Sequence, residues 1–202
     1  MTSRKEEILN VTEGLIEEMG FEMMSTRDIA ERVGISRGTL YHHYASKEEI
    51  LDVLVERIGE RQFAMARQNA ADVSVPVLER IVKTVIGLSM DQGGGREILK
   101  HLNDPGNLLL HHKIQTQMME TLPPIFAQLV EEGIQEGIFS TPYPLECMEI
   151  FVLYVNEVVD APSLEDEPQQ KMKKALALIY NLERMLGTEE GVLLSILQRN
   201  MQ

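Results

Sequence analysis

The chain has 202 residues, 44% of them apolar, and a formal net charge of −13. This apolar fraction can bury a core and argues against a disordered protein, while the negative charge argues against a protein whose whole surface coats nucleic acid or an anionic membrane. No apolar run approaches the roughly 20 residues that cross a bilayer. The single cysteine, Cys147, cannot form an internal disulfide, and the start MTSRKEEIL lacks the apolar core of a signal peptide. We therefore expect a soluble protein of the cytoplasm, with no membrane partner.

The first predicted helix begins the chain. Apolar residues recur at helical spacing almost everywhere and no stretch alternates convincingly with period two, which predicts an all-α protein. Ser3 and Glu6 have the spacing of a capping box, and Gly20 ends the helix. Its predicted inward stripe consists of Ile8, Val11, Leu15 and Met19.

Two short helices follow, with a glycine between them. Ser25 or Thr26 caps the first of these, which runs through Val33, and Gly34 supplies a left-handed stop. Ser36 caps the second. On a 3.6-residue wheel, the inner face of this second helix holds Leu40 and Tyr44, and its outer face holds Gly38, Thr39, Tyr41, His42 and His43. The outer face therefore has donors and aromatic rings but no carboxylate.

The rest of the chain predicts a fourth helix and then a larger helical body. Ser46 and Glu49 form another capping box, and the fourth helix continues to about Arg61. The later helices are predicted from Pro76 to about 90, over 96–103, 107–136, 145–160 and 168–186, and after Thr188. The helix over 107–136 must bend or restart at Pro123-Pro124. The predicted domains are 1–47 for the three-helix unit, 48–61 for a connecting helix and 62–202 for the larger body.

Two short helices joined by a tight turn that contains glycine are typical of the helix-turn-helix, whose second helix enters the DNA major groove. Between residues 23 and 47, four basic side chains stand against two acidic ones, a net +2 in a −13 chain. Helix periodicity alone fits a solvated surface helix equally well.

The side chains of the outer face have chemistry suited to DNA. Arg27 and Arg37 can present paired donors to guanine. Thr39 and Lys47 can hold phosphates, and Tyr41 can lay its ring against a thymine methyl group.

The segment GFEMMSTRDIAERVGISRGTLYHHYASKEEIL resembles the DNA-binding segment of the TetR (tetracycline repressor) family, over about residues 5–55. The resemblance implies a ligand-responsive transcriptional regulator, most simply a repressor, that binds a palindromic operator as a homodimer and is released by a small-molecule effector. It implies that bases or groove walls are contacted by Arg27, Arg37, Gly38 and Tyr41. It assigns phosphate contacts, or their support, to Thr26, Thr39, His43, Tyr44 and Lys47. The predicted DNA-binding set is completed by His42, at a position that varies in the family, and by the cap Ser36.

The resemblance also implies a dimer formed through the helices over 145–160 and 168–186, and a ligand cavity within 61–202. The apolar seam predicted for the dimer consists of Phe151, Val155, Val158, Leu176, Ile179 and Leu182. The candidate ligand-binding residues are His101, His111, Met118, Met119, Phe126, Phe151 and Tyr154. Methionines in such a pattern are more often ordinary core. Tyr154 and Glu157 are polar points for a cationic ligand, or parts of a surface or dimer interface.

Other constellations favour structural interpretations. His111 and His112 are adjacent and point about 100° apart, so they do not predict a metal site, and no cofactor is predicted. Cys147 has no nearby basic residue in sequence and is interpreted as an inert thiol. The chain contains no G-x-S-x-G, no H-E-x-x-H and no phosphate-binding glycine loop, so an enzyme is not predicted. The alternative function is a protein-interaction module that keeps the same fold without specific DNA binding.

Overall fold

The computed structural model describes residues 3–88, 108–159 and 167–200, and over these ranges it contains helices and no strand. The helices are α1 (Arg4–Met19), α2 (Thr26–Val33), α3 (Arg37–His43), α4 (Lys47–Ala71), α5 (Val77–Gly87), α6 (Leu108–Gln135), α7 (Pro144–Tyr154, continued by a π-helical turn over Val155–Val159), α8 (Pro168–Leu186) and α9 (Val192–Asn200). The predicted all-α class is confirmed. The predicted helix over 96–103 and the turn after it lie outside the described residues.

The described residues form two compact units. The first contains 3–61 and 108–114, and the second contains 62–88, 115–159 and 167–200. Helices α4 and α6 therefore each contribute residues to both units.

The core of the first unit is built by α1 to α4. Its most enclosed side chains include Ile8, Leu15, Met24, Ile29, Leu40, Ile50, Leu51 and Leu54. The predicted stripe of α1 is partly wrong, because Met19 is exposed and the buried face instead includes Leu9, Thr12 and Ile16. The first turns of α6 also belong to this unit, where Leu110 and Ile114 pack against the core.

Local sequence signals fix α2 and α3. Ser25 caps α2 in a reciprocal capping box, its N–H donating to Asp28 Oδ2 at 2.8 Å and its Oγ accepting from the Asp28 N–H at 3.3 Å. Gly34 ends α2 with φ 76° and ψ 36°, a left-handed conformation that glycine adopts without steric cost. Ser36 Oγ then accepts from the Thr39 N–H at 3.0 Å and caps α3. The predicted helix-turn-helix is present.

Helix α4 is ten residues longer than predicted. It continues from Arg61 to Ala71 because residues 62–71 keep an inward face, with Phe63 and Ala66 buried in the core of the second unit. Its earlier turns are fastened to α1 by charge-assisted hydrogen bonds. Arg57 donates to Asn10 Oδ1 at 2.7 Å and to Glu13 Oε2 at 2.6 Å. Helices α1 and α4 are thereby joined through side chains far apart in sequence.

The core of the second unit centres on Phe126, Leu129, Val130, Met148 and Leu186. Helix α6 runs through Pro123 and Pro124 without restarting, so of the two predicted outcomes only the bend stays a prediction. A proline inside a helix costs about 3 kcal/mol, but Leu122 and Ile125 flank the pair and are both buried, so tertiary packing offsets that cost.

Candidate nucleic-acid interface

The outer face of α3 lies on the surface of the first unit. Arg37, Gly38, Thr39, Tyr41 and His42 are exposed, His43 is half-buried, and Leu40 is 1% exposed in the core. This arrangement is the one that the helical wheel predicts. Hydrogen-bond donors and an aromatic ring thus project from a short helix whose opposite face is buried through Leu40.

Tyr41 joins α3 to the start of α2. Its hydroxyl shares a hydrogen bond with Thr26 Oγ1 at 3.2 Å, and the Arg37 guanidinium carbon lies 5.9 Å from the centroid of its ring. The hydroxyl of Thr26 and the guanidinium of Arg37 hold the pKa of the Tyr41 hydroxyl below its ordinary value. Three residues predicted to contact DNA are thereby brought together.

Arg27 lies on α2 beside a carboxylate that the sequence reasoning did not single out. Its Nε donates to Glu31 Oε1 at 2.7 Å, one helical turn along α2. The i,i+4 spacing of the two residues is the signal that could have found this pair. His42 and His43 form an edge-to-face ring pair with centroids 5.6 Å apart.

Tyr44 is placed differently from the prediction. Its ring is in the core, as the wheel predicts, but its hydroxyl is enclosed and has no hydrogen-bond partner among the described residues. Burial raises the pKa of this hydroxyl. A phosphate contact by Tyr44 does not fit this structure, because an enclosed oxygen cannot reach DNA without repacking the core.

Lys47 is the first residue of α4, and its side chain reaches back to the segment between α1 and α2. Its Nζ donates to the backbone carbonyls of Phe21 at 3.1 Å and Met24 at 3.2 Å, and lies 4.1 Å from the centroid of the Phe21 ring. The residue therefore ties α4 to the link between α1 and α2. These contacts are of the kind that a supporting role requires, and both predicted roles of Lys47 toward phosphates stay predictions.

Replacement of Lys47 is expected to cost stability. Lys47→Ala removes two charge-assisted hydrogen bonds and a cation–π contact, and should lower the free energy of unfolding by about 1 to 3 kcal/mol. Urea denaturation measures this difference, with Lys83→Ala as a control that removes an exposed lysine from α5. Equal stability of the Lys47→Ala variant and the parent protein would contradict the supporting role.

The candidate effector residues separate into two groups. Met118, Met119, Phe126 and Phe151 pack in or against the core of the second unit, where the Phe126 and Phe151 rings meet edge to face at 5.7 Å. Tyr154 is half-buried at the end of α7. His111 is half-buried on the part of α6 that belongs to the first unit, so it does not join that group. His101 lies outside the described residues.

A polar cluster marks the π-helical turn after α7. Glu157 Oε1 accepts hydrogen bonds from Gln115 Nε2 at 2.5 Å and from Asn156 Nδ2 at 2.8 Å. Gln115 stands one turn before Met118 and Met119 on the same face of α6. Turns of π-helix often occur at functional sites.

Buried polar groups elsewhere serve structure. The Cys147 thiol is buried and lies 3.4 Å from Thr141 Oγ1. Glu183 is buried on α8, and its carboxylate accepts from the N–H groups of Gly191 and Leu193, each at 2.8 Å, which fixes the start of α9. In the part of the chain that the structure describes, no group of three His, Cys, Asp or Glu side chains could hold a metal ion. No described helix is long and apolar enough to cross a membrane.

Comparison with family models matches both parts of the chain. Residues 8–54 match the model of bacterial regulatory proteins of the tetR family, and residues 92–179 match a tetracyclin repressor-like C-terminal domain.

Two curated relatives show how far the sequence similarity extends. The chain is 38% identical over 81 residues to the HTH-type transcriptional repressor KstR2 of Mycobacterium tuberculosis, an alignment that spans 40% of each protein. It is 27% identical over 135 residues to the HTH-type transcriptional regulator UidR of Escherichia coli, spanning 66% of this chain and 67% of that protein.

Solved structures share the fold at lower identity. GusR of Salmonella enterica superposes with a TM-score of 0.60 at 19% identity, covering 91% of this chain and 95% of that one. SmeT of Stenotrophomonas maltophilia, in a complex with triclosan, gives a TM-score of 0.61 at 18% identity, covering 95% of this chain and 94% of that one. These likenesses establish the arrangement of helices.

Proposed function

Because the chain belongs to the TetR family of bacterial regulatory proteins, we propose that it is a cytoplasmic, ligand-responsive transcriptional repressor that binds a palindromic DNA operator as a homodimer. The observation that carries this proposal is the outer face of α3, which presents Arg37, Thr39 and Tyr41 to solvent and carries no carboxylate. KstR2 is itself described as a repressor, which supports the sign of the regulation.

In this scheme α3 enters the major groove. Arg37 and Tyr41 reach base edges or groove walls, and Gly38 removes side-chain bulk where the helix approaches DNA. Thr26 and Thr39 at the helix starts bind phosphates, and Arg27 approaches from α2. His42 and His43 complete the contact surface, while Ser36 holds the start of α3.

The homodimer uses an exposed apolar face of α7 and α8, which pack against each other. Of the seam residues predicted from sequence, Phe151 and Leu182 are buried in the protomer's own core and so are not free to form it. The face that remains open carries Ile150 and Leu153 on α7 and Met172, Leu176 and Tyr180 on α8, each 42 to 57% exposed. Such residues at i, i+4 and i+8 on α8 form a continuous stripe that a second copy can cover.

The effector binds in the second unit, among the part of residues 85–155 that belongs to it, 85–88 and 115–155. Met118 and Met119 offer adaptable apolar contacts, and the carboxylate of Glu157, two residues beyond that region, favours a cationic group. SmeT, which shares the fold, is seen with a small organic molecule bound. Because α6 carries Met118 in the second unit and Ile114 against the core of the first, a ligand that displaces α6 can shift Ile114 on that core.

A ligand of this region is expected to weaken operator binding some 5- to 150-fold, the range of typical allosteric coupling. A thermal-shift screen of cationic, neutral and anionic small molecules finds the ligand, and the operator titration is then repeated with it. Met119→Ala should weaken binding of the compound found in the screen, whereas Gln128→Ala, at an exposed position on the same helix, should leave its binding unchanged. A ligand that binds here and leaves operator affinity unchanged would show that the two units are not coupled.

The proposal of DNA binding is tested by selection from genomic DNA. Purified protein is mixed with sheared bacterial DNA, and the bound fragments are sequenced. A palindromic sequence should be enriched and should bind in titration more tightly than a shuffled duplex of the same composition. Equal binding of the two duplexes would favour the alternative, a protein-interaction module that keeps this fold.

A further inference from the structure

The ion pair between Arg27 and Glu31 is exposed on α2, and Arg27 follows Thr26, which hydrogen-bonds Tyr41 of α3. The side chains are 73% and 64% exposed, and the contact joins Arg27 Nε to Glu31 Oε1 at 2.7 Å. Neither Nη group of Arg27 has a hydrogen bond among the described residues. The carboxylate thus holds one edge of the guanidinium and leaves the opposite edge open.

Arg37 differs from Arg27 in this respect. Within the described ranges it has no carboxylate at salt-bridge distance, and its contact is with the ring of Tyr41. Of the two arginines predicted to contact bases, Arg27 is therefore restrained by a carboxylate and Arg37 is not. Arg32, also on α2, is paired with Glu18 of α1 at 2.9 Å, with both side chains about half exposed.

We infer that Glu31 is a specificity-determining residue of the DNA interface, acting through Arg27. Two parallel N–H bonds to guanine can be made by the Nη pair while Nε stays on Glu31. An unrestrained guanidinium, by contrast, can adopt many rotamers and reach nearby phosphates on any DNA sequence. Such contacts supply affinity without sequence preference. Glu31 limits that movement of the Arg27 guanidinium by holding its Nε. It therefore lowers binding to random DNA more than binding to the operator.

The size of the effect follows from the exposure of the pair. Solvent-exposed ion pairs correspond to about a 1.4- to 5-fold change in an equilibrium constant. If the DNA-binding helix-turn-helix units of both protomers, the two heads of the dimer, bind together, their fold-changes multiply to roughly 2- to 25-fold. This inference rests on the proposed DNA binding, and its test separates the two.

The test is a double-mutant cycle that measures the specificity ratio, the affinity for the operator divided by the affinity for random DNA. The dissociation constants for the selected operator and for a 30-base-pair random duplex are measured for the parent protein, Glu31→Gln, Arg27→Ala and the double variant. Glu31→Gln should tighten random-duplex binding by roughly 2- to 25-fold and operator binding by less, so the specificity ratio falls. In the Arg27→Ala background, Glu31→Gln should leave the ratio unchanged.

Glu18→Gln is the matched control, because it removes the same charge and also frees an arginine of α2. An equal fall of the ratio in Glu18→Gln, or in the Arg27→Ala background, would overturn the inference, since charge alone would then explain it. An unchanged ratio in Glu31→Gln would overturn it as well. A parent protein that does not distinguish operator from random duplex would instead refute the proposed function.

Discussion

The Arg37→Ala, Tyr41→Ala double variant is expected to lose nearly all specific operator binding. Each side chain projects from α3, and a good contact to a base contributes about 1 to 3 kcal/mol of discrimination. The sum corresponds to roughly a 30-fold to 10⁴-fold loss of affinity. Because the guanidinium of Arg37 lies 5.9 Å from the Tyr41 ring, the two losses should add incompletely. Gel-shift titration against the selected operator measures the loss.

Arg67→Ala is the control for the double variant. It removes the same positive charge from an exposed position of α4 in the second unit, far in sequence from α3. Its operator affinity should stay close to that of the parent protein. If the double variant binds the operator as well as this control does, α3 is not the reading helix and the protein-interaction alternative gains support.

The helix-turn-helix could be predicted from sequence because its signals are local. Ser25, Gly34 and Ser36 fix the ends of α2 and α3 within a few residues of chain, and the 3.6-residue period then decides which side chains of α3 face outward. A cap or a left-handed glycine acts on its own turn of helix and needs no distant partner. The exposure of Arg37 and Tyr41 follows from these signals alone.

The contacts that fasten α4 could not be predicted, since they join residues far apart in sequence. Lys47 reaches the carbonyl of Phe21, and Arg57 reaches Glu13. Nothing in the spacing of such residues distinguishes a lysine that holds a backbone carbonyl from one that waits for a phosphate. Only the tertiary packing decides between those two roles.

The second unit shows the same limit in its apolar residues. Periodicity marks Phe151 and Leu182 as inward-facing but does not say whether the partner is the same chain or a second copy. The structure places both in the protomer's core and leaves Ile150 and Leu176 outside. Similarly, the two prolines of α6 predict a bend or a restart of the helix from sequence alone. The structure shows one continuous helix, in which the flanking Leu122 and Ile125 are buried.

The Ile150→Arg, Leu176→Arg double variant is expected to be monomeric. Dimerisation over α7 and α8 would enclose both guanidinium groups in an apolar interface, which costs several kcal/mol and should raise the dimer dissociation constant by 10²-fold or more. Light scattering at micromolar concentration should report about 22.9 kDa for the variant and about twice that mass for the parent protein. Operator affinity should fall in parallel, because two heads must be held about 34 to 36 Å apart to read a palindrome.

Added arginines also attract DNA, so the variant needs a control of equal charge. Val73→Arg, Val75→Arg adds the same two charges in the turn before α5, where Val73 is 83% exposed, and should leave the protein dimeric. If the Ile150→Arg, Leu176→Arg variant stays dimeric, the dimer interface must lie on another surface of the protein. A parent protein that is monomeric at micromolar concentration in low salt would remove the homodimer altogether, and the two heads would then have no means of reading a palindrome together.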